Sequence, residues 1–130
     1  MIQENGLALA YIGDAVYELK VREYLVDKGL YIVNNLHHEA IKYTSANSQA
    51  LILDELLSNL TDDEVDIYKR GRNASSTHKP KNASLSVYRK ATGFEALIGY
   101  LYLIKNNERL DFIIDFSINF INKKTLEIAK

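Results

Sequence analysis

Two acidic side chains stand alone in otherwise apolar stretches of this sequence. Residues 7–17 are apolar or aromatic except for Gly13, which has no side chain, and Asp14; in residues 94–104 the one charged residue is Glu95. A helix that is apolar all round is buried, and a buried carboxylate must be neutralised, paired or bound to a metal. Convergent carboxylates in a dry setting suit a hard divalent cation and phosphate chemistry. Asp14 and Glu95 are therefore candidate metal ligands.

Other interpretations of the two acids are open at this point. Asp14 could instead cap a helix that begins at Ala15. Glu95 could be protonated, or it could pair with Arg89 or Lys90 near the start of its helix.

Further candidate ligands are weaker. Glu18 lies one turn beyond Asp14 and could join the acidic site or face solvent. His37 and His38 are adjacent, hence on different faces of a helix, and no third zinc ligand accompanies them. The sequence has no Cys, which excludes a thiolate zinc site, a disulfide framework and a cysteine nucleophile.

Charge is distributed unevenly along the chain. The net charge is −1, yet residues 67–94 contain no Asp or Glu and hold seven of the sixteen Lys and Arg residues. That segment is +7, and the remainder, with nine basic and seventeen acidic residues, is −8. Clustered cations of this kind are typical of a polyanion-binding surface, and a solvated loop with incidental charge is the alternative.

Helices are the elements expected to position these groups. One Pro and six Gly in 130 residues disfavour a turn-rich β fold, and 47% hydrophobic residues exclude disorder. Thr61 and Glu64 have the spacing of a capping box, and residues 73–85, with the single Pro, predict a loop. The fold class predicted is all-α, with five to seven helices in one domain over residues 1–130. Helices are predicted at about 6–27, 36–59, 62–72, 86–105 and 107–122, the one at 62–72 from the capping box.

The two apolar helices also predict an assembly. Gly13 and Gly99 fall in mid-helix, where each costs about 0.5–1 kcal/mol relative to alanine, and close helix–helix approach would explain them. Two helices without a polar face exceed what a 130-residue monomer readily hides. We therefore expect a homodimer, with residues 6–17 in part of its interface.

Targeting signals are not evident in the sequence. The first residues lack the basic start of a signal peptide, and no apolar run approaches the length of a membrane span. With the absence of Cys, these features predict a soluble cytoplasmic protein.

The residues around the two acids resemble a known family. Residues 9–16, Leu-Ala-Tyr-Ile-Gly-Asp-Ala-Val, resemble the signature of the ribonuclease III catalytic domain. Residues 91–99, Ala-Thr-Gly-Phe-Glu-Ala-Leu-Ile-Gly, resemble its second motif. Residues 45–50 and 69–74 look like the Mini-III branch, whose chains stop where larger members continue into a double-stranded-RNA-binding domain. The resemblance covers most of the chain, from about residue 6 to residue 109.

The resemblance implies an activity. The expected protein is an all-α homodimeric endoribonuclease that cleaves double-stranded RNA with Mg²⁺, or Mn²⁺ in its place, leaving 5′-phosphate and 3′-hydroxyl ends. Asp14 and Glu95 would be its catalytic residues and would bind the metal directly or through water. Its natural work would be maturation of the large-subunit (23S) ribosomal RNA precursor. Its partners would be double-stranded pre-rRNA and a second copy of the chain, with a ribosomal protein as a candidate helper and no membrane.

This sequence departs from the larger family members at three positions. Leu7 and Ala10 stand where those members carry glutamates, and Thr92 stands where they carry an aspartate. Two of the usual carboxylates remain, so the number of metal ions is open, and Glu18 or a residue of 36–48 could substitute.

The basic segment could replace part of what an appended RNA-binding domain supplies. A-form RNA is recognised mainly through its shape, 2′-hydroxyls and phosphates, and cations dominate such binding. The residues predicted to contact phosphates are Arg70, Arg72, Lys79, Lys81 and Arg89.

Two other functions compete with the endoribonuclease. A non-catalytic RNA- or ribosome-binding module would explain the lost carboxylates, although it would have no reason to keep both apolar-flanked acids. An all-α metal-dependent nucleotide pyrophosphohydrolase would normally need a denser set of acids than one per helix.

Overall fold

Six α-helices make up the part of the chain that the structure, a computed structural model, describes, namely residues 5–74 and 84–129. Neither range contains a strand, so the all-α prediction is confirmed there. A 3₁₀ turn, Leu57–Asn59, follows the third helix. The helices are α1 (Gly6–Asp27), α2 (Val33–Thr44), α3 (Ala46–Leu56), α4 (Asp62–Ala74), α5 (Leu85–Leu103) and α6 (Asn107–Ala129).

Helix α5 lies at the centre of the bundle. It packs against α1, α3, α4 and α6, and this explains why its sequence has almost no polar face. Phe94 is fully buried and meets the ring of Tyr17 edge to face, with ring centroids 5.1 Å apart. Among the described helices, α5 included, none is long and apolar enough to cross a membrane.

The prediction of a single helix over residues 36–59 is wrong, because Ser45 separates two helices, α2 and α3. Ser45 is extended, with ψ of 154°, and its Oγ accepts a hydrogen bond from the Ser48 amide at 3.2 Å. Ser48 Oγ in turn donates to the carbonyl of Lys42 at 2.6 Å. The side-chain cap satisfies the first turn of α3 and ends α2, an effect that apolar periodicity does not register.

The predicted capping box at the start of α4 is confirmed. The Thr61 amide donates to Glu64 Oε1 at 2.9 Å, and the Glu64 amide donates to Thr61 Oγ1 at 3.2 Å. Arg109 of α6 also donates to both carboxylate oxygens of Glu64, at 2.7 and 2.9 Å. Burial favours a raised pKa for Glu64, but these hydrogen bonds outweigh it and hold the pKa below its usual value. The first turns of α4 and α6 are thereby fixed to each other.

The expectation that α1 is buried on every side is wrong for the single chain. Leu9 and Val16 are buried, whereas Tyr11 is 81% exposed and Leu7 is 43% exposed. Asp14 is also exposed. The reason is that α5, α2, α4 and α6 pack against α1 without covering all of it, which leaves an apolar strip exposed.

Candidate active site

Helices α1 and α5 cross with their backbones in contact. A Cβ built on Gly13 would overlap the carbonyl oxygen of Glu95, and one built on Gly99 would overlap the carbonyl oxygen of Leu9. The expectation that these mid-helix glycines mark a close approach is therefore confirmed. Because Asp14 follows Gly13 directly, the crossing also brings the two candidate acids together.

Asp14 and Glu95 form a carboxyl pair at this crossing. Burial raises the pKa of Glu95, and a hydrogen bond to Asp14 together with the charge of Asp14 raises it further, to about 9. In the metal-free protein at neutral pH the pair therefore holds a proton, as expected for two carboxyl groups that share a site. Binding a divalent cation would allow that proton to leave.

Two of the alternative interpretations of these acids are excluded by the structure. Asp14 lies well inside α1, which begins at Gly6, so it does not cap a helix beginning at Ala15. Lys90 pairs with Asp54 of α3 at 3.0 Å, so its ammonium is engaged away from Glu95.

A third polar side chain, Gln49 of α3, reaches the pair. Its Nε2 donates to the Thr44 carbonyl at 3.1 Å and lies 3.4 Å from Glu95 Oε2. The contact with Glu95 lowers the pKa of that carboxyl group and so opposes, without outweighing, the rise caused by burial and by Asp14. Sequence reasoning missed Gln49. The available signal was its place on the apolar face of α3, three and four residues before the buried Ile52 and Leu53.

The residues present fit a hard divalent cation of the Mg²⁺ type. Mg²⁺ is commonly held by one or two carboxylates and keeps several waters, and here Asp14 is exposed and Glu95 is half-buried. Within residues 5–74 and 84–129, no three Asp, Glu, His or Cys side chains gather at one metal site. Glu18 instead pairs with Arg22 at 3.6 Å, and the two adjacent histidines of α2 belong to no such group.

The three positions that depart from the family pattern add no ligand. Thr92 Oγ1 donates to the Tyr88 carbonyl of its own helix at 2.9 Å. Leu7 and Ala10 carry no polar side-chain atom. Thr92 lines, with Gln49 and other residues, a cavity of about 240 Å³ beside Glu95.

Cationic side chains gather at a second cavity, here called the cationic cleft. Arg72 of α4 and Arg89 and Lys90 of α5 line it, with Tyr68 and Asn73, around about 600 Å³. The Arg72 guanidinium lies 5.5 Å from the centroid of the Tyr68 ring. Arg89 and Lys90 precede Glu95 by six and five residues on the same helix, roughly 7–9 Å along its axis. The cleft and Glu95 therefore share helix α5 but line different cavities.

The five predicted RNA contacts are only partly brought together. Arg72 and Arg89 share the cationic cleft. Arg70 is exposed on α4 and does not line the cleft. Lys79 and Lys81 lie outside the described residues.

Comparisons with known proteins show the family of this chain. The Ribonuclease III domain family matches residues 7–106, a range that includes both acids. A Mini-ribonuclease 3 from Enterococcus faecalis is 48% identical over 123 residues, with 93% of each chain covered. One from Streptococcus pneumoniae is 48% identical over 116 residues, covering 88% of this chain and 91% of the relative. A crystal structure of a Fusobacterium nucleatum protein, 33% identical, covers 88% of this chain and 92% of its own with a TM-score of 0.80. The chain therefore belongs to the ribonuclease III family, in its Mini-ribonuclease 3 branch.

Proposed function

We propose that this protein is a metal-dependent endoribonuclease that cleaves double-stranded RNA. The observation that carries the proposal is the pairing of Asp14 and Glu95 where α1 and α5 cross. Two carboxyl groups that hold a proton between them are a site that a divalent cation can occupy in place of that proton. The names of the relatives, Mini-ribonuclease 3, support ribonuclease chemistry at this site.

The side chains of the pair have distinct parts in the proposed reaction. When bound, Mg²⁺ (or Mn²⁺) supplies charge stabilisation at the scissile phosphate and an attacking water usable near neutral pH. Because Asp14 is exposed and Glu95 is half-buried, we assign Asp14 to the side of the site that faces an incoming phosphate and Glu95 to the inner side. The water oxygen gives up a proton and bonds to phosphorus as the bond from phosphorus to the 3′-oxygen breaks. The 3′-oxygen takes up a proton, which leaves a 5′-phosphate and a 3′-hydroxyl.

The cationic cleft supplies the proposed RNA contacts. Arg72 of α4 and Arg89 of α5, the helix that also carries Glu95, line one cavity. We expect a phosphate bound there to direct the RNA backbone along α5 toward the carboxyl pair. Arg70 on α4, and Lys79 and Lys81 in the basic segment, complete the proposed set. Phosphate contacts of this kind position a duplex without reading its sequence.

We also propose that the protein works as a homodimer. The apolar strip of α1 includes Leu7, Tyr11 and Leu19, and the exposed Tyr102 at the end of α5 is a further apolar surface residue. Exposed apolar surface of this kind marks an interface. Two copies would carry two carboxyl pairs and could cut both strands, and the substrate we propose is the precursor of 23S ribosomal RNA in the cytoplasm.

Cleavage of a labelled RNA duplex with Mg²⁺ tests the proposal directly. Wild-type protein should cut duplex RNA, but neither single-stranded RNA nor duplex DNA of the same sequence. Asp14→Asn and Glu95→Gln should each reduce the rate by at least about a hundredfold. The matched control is Asp27→Asn, which changes an exposed carboxylate at the end of α1 and should cut normally.

Two outcomes would contradict the endoribonuclease. Binding of duplex RNA without cleavage at any Mg²⁺ or Mn²⁺ concentration would favour a non-catalytic RNA- or ribosome-binding module. Hydrolysis of free nucleoside triphosphates, with the RNA left intact, would favour a pyrophosphohydrolase.

A further inference from the structure

Gln49 is a buried polar side chain at the meeting point of three helices. It is 3% exposed, and its Nε2 bridges the Thr44 carbonyl, at 3.1 Å, and Glu95 Oε2, at 3.4 Å. Its Oε1 is buried and has no hydrogen-bond partner among the described residues. Because a carbonyl oxygen only accepts, turning the amide over would set Oε1 against the Thr44 oxygen, so the observed orientation is the one its neighbours require.

Packing does not explain a glutamine at this position. A buried acceptor without a partner lowers stability, and a methionine of similar length would occupy the space without that loss. The side-chain oxygen of Gln49 accepts no hydrogen bond from the described part of the chain. The contacts of its side-chain nitrogen are therefore the reason for a glutamine at this position.

The amide nitrogen is itself held in place by the break between α2 and α3. Thr44 is the last residue of α2, and Ser45 caps α3 four residues before Gln49. The carbonyl that receives Nε2 therefore lies at a helix end fixed by the hydrogen bonds of Ser45 and Ser48. The amide reaches Glu95 from α3, whereas Asp14 reaches it from α1.

We propose that Gln49 is a positioning residue of the active site, whose side-chain amide, anchored on the Thr44 carbonyl, orients the Glu95 carboxylate for joint binding of a divalent cation with Asp14. This inference rests on the metal site of the proposed function. Hydrogen-bond partners of metal ligands fix ligand orientation, and their loss typically weakens metal binding by about 10–100-fold.

Calorimetric titration with Mn²⁺ tests the inference without measuring catalysis. Gln49→Met should bind Mn²⁺ at least about tenfold more weakly than wild type. In EDTA its urea midpoint should be close to that of wild type, because removing the unpartnered buried oxygen offsets the loss of the hydrogen bond to the Thr44 carbonyl. Gln49→Ala, which adds no volume beside the 240 Å³ cavity, should show the same loss of Mn²⁺ affinity.

The matched control is Thr92→Val. Thr92 is buried and lines the same cavity, but its hydroxyl bonds within α5, so its Mn²⁺ affinity should equal that of wild type. In RNA cleavage the Gln49 variants should lower kcat with KM for the duplex unchanged, because Gln49 does not line the cationic cleft.

The outcomes separate the inference from the function on which it rests. Wild-type binding of Mn²⁺, with both Gln49 variants within twofold of it, would overturn the positioning role alone. An equal loss of affinity in Thr92→Val would also overturn it, since the effect would then belong to packing around the cavity. Failure of wild-type protein to bind Mn²⁺ at millimolar concentration would overturn the metal site itself.

Discussion

Gly13 of α1 and Gly99 of α5 meet backbone to backbone. A Cβ built on Gly13 would lie 2.8 Å from the Gly99 nitrogen, and one built on Gly99 would lie 3.0 Å from the Gly13 nitrogen. Side chains at either position would hold the helices at an ordinary packing distance of about 8–10 Å between axes. The approach of Asp14 to Glu95 therefore depends on the absence of a side chain at both Gly13 and Gly99.

Gly99→Ala should destabilise the protein and open the carboxyl pair. The added methyl group would overlap the Leu9 carbonyl, which belongs to backbone and cannot rotate away. We expect the free energy of unfolding, measured with urea, to fall by about 2–3 kcal/mol. Mn²⁺ affinity should fall as well, because α1 and α5 must separate.

Gly29→Ala is the comparison for this substitution. Gly29 has φ of +91°, and a Cβ added to it would meet nothing within 4 Å, so alanine there brings backbone strain without overlap. The loss should be about 1–2 kcal/mol, with Mn²⁺ affinity unchanged. A Gly99→Ala protein as stable as wild type would show that the two backbones are not in contact.

The stability of the metal-free protein should depend on the ionisation of Glu95. Its pKa is about 9 when folded, against an ordinary 4.5, so between these values the folded chain holds a proton that the unfolded chain has released. The contribution is complete below about pH 4.5 and is lost as the pH rises through about 9, by at most about 1.4 kcal/mol per pH unit. Glu95→Gln should therefore unfold at higher urea than wild type at pH 8 in EDTA, with a smaller difference at pH 5.

Two control experiments test whether the pH dependence arises from Glu95. Glu55→Gln changes an exposed carboxylate of α3 and should keep the pH dependence of wild type. Mg²⁺ at pH 8 should raise the stability of wild type and leave Glu95→Gln unaffected. Equal pH profiles for wild type and Glu95→Gln would contradict the raised pKa.

Much of the helical framework could be predicted because its signals are local. The bounds predicted for α1, residues 6–27, are those observed, and the box formed by Thr61 and Glu64 marks the start of α4. The break at Ser45 could not be read from periodicity, since apolar residues continue on both sides of it. The break depends on the Ser45 side chain, which caps α3, and on the Thr44 carbonyl, which accepts a hydrogen bond from Gln49 of α3.

The sequence singled out the two acids of the candidate site but not Gln49, the glutamine that contacts Glu95. Asp14 and Glu95 stood out because each is the single charge in an apolar stretch. That reasoning also placed Asp14 in a buried setting, whereas it is exposed, because one chain does not cover all of α1. Gln49 carries no charge and belongs to no motif linked to the acids, so only the folded arrangement identifies it.

Arg72 and Arg89 should account for part of the salt dependence of RNA binding. In an inactive Glu95→Gln background, each change to Gln should weaken duplex binding and reduce the slope of log affinity against log salt by about 1. Fluorescence anisotropy at several salt concentrations measures both quantities. Lys123→Gln, on α6 and outside the cationic cleft, should leave the slope unchanged. If the Arg72 and Arg89 variants kept the wild-type slope, phosphates would not be bound in this cleft.

Tyr11→Glu should prevent dimer formation. Tyr11 is 81% exposed on the apolar strip of α1, and a charge there would have to be desolvated for two strips to pack. Sedimentation velocity at micromolar concentration should show wild type as a dimer and Tyr11→Glu as a monomer with unchanged helical circular dichroism. Ile128→Glu, 85% exposed near the end of α6, removes a similar apolar surface elsewhere and should remain a dimer. A dimeric Tyr11→Glu protein would place the interface on another surface, and a monomeric wild type would contradict the assembly altogether.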